Sequence, residues 1–230
     1  MKNIKVRLTF TEGILGTSPA NEDIYRDFIG SKAPDAASIE DEVEALGVDA
    51  VVEKGMTVFP KLPDGTPILY DYQIKGFFKD TCGGLRKVTG TESSKVKAFK
   101  KEIDKLIFVR ERQIAFENIS GMGVCQRPLR ASTAQGERVS LAMSEEINAG
   151  ATVTFTIALW CDSHEKLVKE WLNYGEYSGI GQWRNSGKGR FLWEELDEQT
   201  GEVIGGNLNR RTGDKLEYKY YPMFNYFEEA

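Results

Sequence analysis

The stretch Ala151–Leu196 reads ATVTFTIALWCDSHEKLVKEWLNYGEYSGIGQWRNSGKGRFLWEEL. Its first ten residues form the clearest strand in the chain, set off by the turn residue Gly150. Ser163 then offers a cap for a helix running to Asn173. A glycine-rich loop follows, and Phe191–Leu196 is strand-like again. The N-terminal half reads in a similar order. Ile4–Phe10 alternates Ile, Val, Leu and Phe with Lys, Arg and Thr, as a half-buried strand does. DYQIKGFFKDTCGGL is a helix with Asp71 as candidate N-cap and Gly83-Gly84 as its end, and Leu106–Asn118 alternates like a strand. Strand, helix, strand, strand, helix, strand is an α+β pattern of ferredoxin-like type, here with a large insertion in the middle.

Smaller features fill the gaps. TEGILGTSPANED after the first strand is a turn or loop. Asp23–Ile29 and Ser38–Leu46 have helical spacing, and Met56–Phe59 is a short strand. Ser94–Leu106 predicts one amphipathic helix, with Val96, Phe99, Ile103 and Leu106 on a single stripe. Ser120–Gly136 is a long excursion bearing glycine and arginine, and Arg138–Ala142 is the returning strand. No internal repeat or low-complexity linker is visible.

The 230 residues are 40% hydrophobic, 28% charged and 11% aromatic, which excludes disordered, collagen-like and coiled-coil chains. No apolar run approaches the roughly 20 residues of a membrane span, and no signal peptide is visible, so a cytoplasmic protein is expected. Cys82, Cys125 and Cys161 are an odd number with no CxxC pattern, and His164 is the only histidine. A disulfide framework, a structural zinc site and multi-histidine metal chemistry are not expected, nor is any cofactor. At a helix start, His164 reads as a first-turn surface residue.

Net charge is −5, against a generic polyanion binder, but its distribution matters more than the sum. Thr11–Asp71 carries 13 acidic residues against four basic ones, Arg26, Lys32, Lys54 and Lys61. Lys75–Arg138 carries 14 basic against 7 acidic. For the lysines around Lys95–Lys105 the simpler reading is a solvated helical face.

Three segments combine residue types suited to a phosphate backbone. Gly175–Arg190 holds Gly179, Gly181, Gly187 and Gly189 with Trp183, Arg184, Lys188 and Arg190 between them. Glycine lets a backbone approach phosphate, Arg and Lys neutralise it, and Trp offers a stacking face. The segment is neither a P-loop nor a Rossmann fingerprint, because GxxxxGK[ST] is missing and the glycines follow a helix. The structural alternative is a tight helix-to-strand turn whose glycines serve only positive φ. The second segment is Tyr72–Arg86. Its Lys75 and Lys79 are i, i+4 neighbours, while Ile74, Phe77 and Phe78 face inward. The alternative there is an ordinary amphipathic helix. The third is the Ser120–Gly136 excursion and its return, with Arg127, Arg130 and Arg138. A connection this long is functional or a surface hairpin.

Taken in order, these segments resemble the RAMP superfamily of CRISPR-associated proteins, and most of all its guide-RNA-binding backbone subunits. GILGTSP stands where the family has an apolar-Gly-Ser stretch after the first strand. PILYDYQIKGFFKDT matches the family's LKG-type helix through Pro67, Ile74-Lys75-Gly76 and Lys79. EEINAGATVTFTIAL matches the turn-strand, and GIGQWRNSGKGRF matches the glycine loop through Gly179, Gly181, Arg184, Gly187, Gly189 and Arg190. Gln73 replaces the usual Ser or Thr, and Lys79 the usual Arg. The resemblance implies a modified ferredoxin-like (RRM-like) palm in one domain over 1–230. It implies insertions at about 20–55 and, as a β-hairpin thumb, at about 114–139. It also implies sequence-independent binding of single-stranded guide RNA beside other copies of the chain or related subunits. Such folds often use an open strand surface for single strands.

Other readings stay open. A ribonuclease of the same superfamily would need Asp23, Asp27 or His164 on the bound strand. A protein-interaction module or inhibitor, including one carried by a mobile element, would use the acidic stretch Glu40–Glu53. A single-stranded DNA-binding protein would share the same stacking chemistry.

Overall fold

The computed structural model describes residues 1–19, 56–133 and 136–208. The helices expected over Asp23–Ile29 and Ser38–Leu46, the stretch Glu40–Glu53 and the aromatic C-terminal tail lie outside the described residues. In chain order the elements are β1 (Lys2–Phe10), β2 (Ile14–Leu15), β3 (Ser18–Pro19), β4 (Thr57–Val58), β5 (Ile68–Tyr70), α1 (Asp71–Leu85) and a 3₁₀ turn at Ser93–Lys95. Then come α2 (Phe99–Leu106), β6 (Ile107–Val109), β7 (Gln113–Glu117), β8 (Met122–Thr133), β9 (Gly136–Ile147) and β10 (Thr152–Leu159). The described chain ends with α3 (His164–Tyr174), a 3₁₀ turn at Arg184–Ser186, β11 (Phe191–Leu196) and β12 (Val203–Gly206).

The fold is α+β. Seven strands form an antiparallel sheet ordered β12-β11-β1-β10-β7-β5, with β6 also on β10. Ile4, Val6, Leu8 and Phe10 of β1 are buried on one face, and Ile157, Phe155 and Val153 of β10 lie opposite the first three. A one-residue slip would turn this whole row to the other face, so the apolar alternation holds the register. Ile74, Phe77, Phe78 and Cys82 of α1, Ile103 of α2 and Leu167, Val168 and Trp171 of α3 join the same core. Trp171 is completely buried, and its indole N–H donates to Ser93 Oγ at 2.9 Å. That bond satisfies the one polar atom such a ring brings into a core.

A second sheet has the order β2-β9-β4-β3, with β8 also on β9. The GILGTSP loop therefore contains two short strands: Ile14 and Leu15 pair with β9, and Ser18 and Pro19 pair with β4. The Ser120–Gly136 excursion is mostly regular. β8 and β9 pair from Met122–Ile147 to Thr133–Gly136, a hairpin set later in the chain than the expected 114–139.

Five local expectations change. Asp71 does not cap α1. Tyr70 takes that place, and its N–H donates to Gln73 Oε1 at 2.7 Å, a side chain reaching back over the first turn. The helix also runs through Gly83-Gly84 to Leu85, since neither glycine has positive φ. Ser94–Leu106 is not one helix. The Glu170 carboxylate of α3 accepts the N–H groups of Glu92 and Ser93 at 2.7 and 2.9 Å, pinning a 3₁₀ turn, and Val96 leaves it extended. Leu106–Asn118 splits into β6 and β7, because the Glu111 carboxylate takes the Thr156 N–H at 2.7 Å in place of a backbone carbonyl. Finally, His164 is no surface residue. It is buried, with Nε2 3.5 Å from the Glu102 carboxylate of α2 and no partner for Nδ1.

Candidate functional site

Three separate stretches converge beside the helical layer. The N-terminus of α1 is fastened by Gln73, whose amide also donates to Thr17 Oγ1 at 2.9 Å. One side chain thus closes the first turn of α1 and ties it to the GILGTSP stretch. The glycine loop after α3 packs against the same region. Gly189 N–H donates to Gly13 O at 2.9 Å, and Thr11 N–H donates to Arg190 O at 2.9 Å.

Within the loop the two glycine arms press on each other. Ile180 N–H donates to Gly189 O at 3.0 Å. A Cβ on Gly179 would lie 2.1 Å from Lys188 O, and one on Gly189 2.0 Å from Ile180 O. Those two missing side chains are used by the loop's own packing, leaving no open approach there for a phosphate. Gly181 and Gly187 have φ of +91° and +87°, and Trp183, at +56°, begins the 3₁₀ turn. Such values suit glycine and are costly for a bulky side chain, so Trp183 is held by its surroundings.

Arg127 supplies that hold. It is 6% exposed and reaches from β8 across β9, with Nη2 donating to Ser144 Oγ at 3.0 Å and to Gln182 Oε1 at 2.9 Å. Its guanidinium lies 4.9 Å from the centre of the Trp183 ring. Lys188 makes a second tie to the hairpin through Glu146 at 2.5 Å. Arg190 folds back near Gly187, and its buried Nε has no hydrogen-bond partner. Arg130 and Arg138 sit on the paired hairpin, at backbone positions opposite Val139 and Ala131.

Between α1, Thr17–Pro19 and the loop lies an open cleft of about 1290 Å³. Its lining includes Lys79, Lys87, Lys100 and Arg184 and a single carboxylate, Asp80. Gly76, Gly83, Gly84 and Gly181 also face it. Arg184 spans it, donating from Nη1 to Asp80 Oδ2 at 2.8 Å, and Lys79 is bound to Asp104 at 2.6 Å. Lys75 turns away toward α2, 3.3 Å from Asp104 O and 4.6 Å from the Phe108 ring centre, and burial lowers its pKa.

The expected residues therefore divide. Lys79, Arg184 and Gly181 meet on the cleft. Arg127, Trp183 and Lys188 lock the loop onto the hairpin behind it, and Lys75 is elsewhere. Lys87 and Lys100 were not singled out from the sequence; Lys100 belongs to the run read as a solvated face. Among the described residues, no three His, Cys, Asp or Glu side chains gather as metal ligands, and no helix is long and apolar enough to cross a membrane.

No family model matches the chain, and no curated protein does. Among solved structures, a chain in the cryo-EM structure of the Type III-B Cmr-beta bound to cognate target RNA is similar in fold. The TM-score is 0.48 and the identity 11%, and the match covers 89% of this chain. It spans 60% of the other chain's length.

Proposed function

We propose that this chain is an RNA-binding backbone subunit of a CRISPR-type ribonucleoprotein, with single-stranded guide RNA and copies of itself or related subunits as partners. The observation that carries this reading is the cleft. α1 and the glycine loop, both marked from their residues, and Thr17–Pro19 of the GILGTSP stretch line one groove, where Lys87 and Lys100 join Lys79 and Arg184 beside one carboxylate. Lys and Arg side chains beside glycine backbone recognise phosphates and carry no base code, so binding is sequence-independent. The strand order β11-β1-β10-β6, antiparallel throughout, supports a modified ferredoxin-like palm, and the β8–β9 hairpin supports an inserted thumb. The proposal keeps Lys79 and Arg184 as phosphate contacts and adds Lys87 and Lys100. Arg130 and Arg138 would meet RNA along the hairpin, while Arg127, Trp183 and Lys188 position the loop.

One observation favours a second reading, a protein-interaction module or inhibitor on the same fold. Lys79, Arg184 and Lys188 are each already paired with a carboxylate. Nuclease chemistry gains nothing from His164, which is buried and does not line the cleft.

The test is titration with labelled single-stranded RNA and DNA of several lengths at low and moderate salt, followed by size-exclusion chromatography. The RNA-coating reading expects salt-sensitive, length-dependent assembly with the RNA intact afterwards. A monodisperse protein that ignores both nucleic acids at low salt would favour the interaction module.

A further inference from the structure

Tyr72, on the first turn of α1, is the exposed aromatic residue that lines the cleft; Phe108, Trp160, Tyr177 and Trp183 are also exposed among the described residues but do not line it. The residue is 52% exposed. It is also held in place. Tyr70 stacks on one face, with centroids 5.4 Å apart and planes 16° from parallel. The Arg112 guanidinium lies 5.8 Å from both ring centres. Arg112 is itself anchored to Asp71 at 2.6 Å. Burial raises the pKa of the Tyr72 phenol above its ordinary value of 10.0.

We infer that Tyr72 is a stacking platform for one unpaired base of single-stranded RNA entering the cleft. The inference rests on the proposed RNA-binding function and adds a contact to it. An aromatic face that is fixed before binding loses little conformational freedom when a base lands on it. A base added to Tyr72 extends an existing two-ring stack in the cleft that Lys79 and Arg184 also line. Stacking is tolerant of base identity, in keeping with sequence-independent binding.

The test measures affinity for a labelled single-stranded RNA, and for an abasic oligomer of the same length, with the full chain and with Tyr72→Ala and Tyr72→Phe. On RNA, Tyr72→Ala is expected to bind about 5- to 150-fold more weakly, the range for losing one base stack, and Tyr72→Phe to bind like the parent. The alanine penalty should disappear on the abasic oligomer, and the salt slope should stay unchanged, because no charge is lost. An unchanged affinity for Tyr72→Ala overturns the platform, as does an equal loss with Tyr72→Phe or on the abasic oligomer. If the parent protein itself binds no RNA at low salt, the proposed function falls and the platform with it; a parent that binds RNA while the alanine variant binds equally well overturns the platform alone.

Discussion

Arg127 shows how a cation that looks available in sequence can be consumed by the fold. Its partners Ser144 and Gln182 lie 17 and 55 residues further along the chain, so no local pattern betrays its burial. Removing it takes one hydrogen-bond partner from the buried Ser144 hydroxyl, which keeps Thr57, and one from the half-buried Gln182 carbonyl, and it leaves Trp183 without its support. Arg127→Ala is expected to cost about 1–3 kcal/mol in denaturant unfolding, the loss of two hydrogen bonds at about 0.5–1.5 kcal/mol each. A variant as stable as the parent would show that the guanidinium is not what holds the loop. Glu165 makes the corresponding point for acid stability. Hydrogen bonds from Lys169 and Lys2 lower its pKa from 4.5 to about 2. A pKa lowered by folding stabilises the protein above about pH 4.5, and that contribution fades as pH falls toward 2. Glu165→Gln should therefore be less stable than the parent at pH 6, with the gap closing by pH 2. A gap that stays constant across that range contradicts the ion-pair assignment.

At the scale of elements, β1, α1 and β10 are legible because one face of each is buried and the period shows it. The breaks are not legible, because distant side chains cause them. Glu170 interrupts the expected Ser94–Leu106 helix, and Glu111 interrupts the expected Leu106–Asn118 strand. The site is legible to the extent that its residues lie on α1 and the glycine loop. Lys100 escapes because only the packing of α2 beside α1 brings it to the cleft. Gly76 carries a prediction of its own. A Cβ there would meet nothing within 4 Å, and the residue sits inside a helix facing the cleft. Glycine in a helix interior costs about 1 kcal/mol relative to alanine. Gly76→Ala is thus expected to raise stability by about 0.5–1 kcal/mol while weakening RNA binding, as close backbone approach requires. Stabilisation with unaltered binding would remove Gly76 from the interface.

Across the whole molecule, an acidic chain presents a local basic groove. Net charge is −5, yet the cleft is lined by four cations and one carboxylate. Overall charge is a poor guide here, because phosphate binding depends on the cations within reach of the strand. Two of the groove's four cations are paired in the free protein. Asp80 and Asp104 hold Arg184 and Lys79 across an open surface, where such pairs contribute little and exchange readily for phosphate. The account stands most directly on one measurement: the salt dependence of single-stranded RNA binding for the full chain against Lys79→Ala combined with Arg184→Ala. It predicts weaker binding and a slope of log K against log salt reduced by about 1.4, two phosphate contacts at about 0.7 each. Parent-like affinity with an unchanged slope would contradict it, and would place any RNA site outside this cleft.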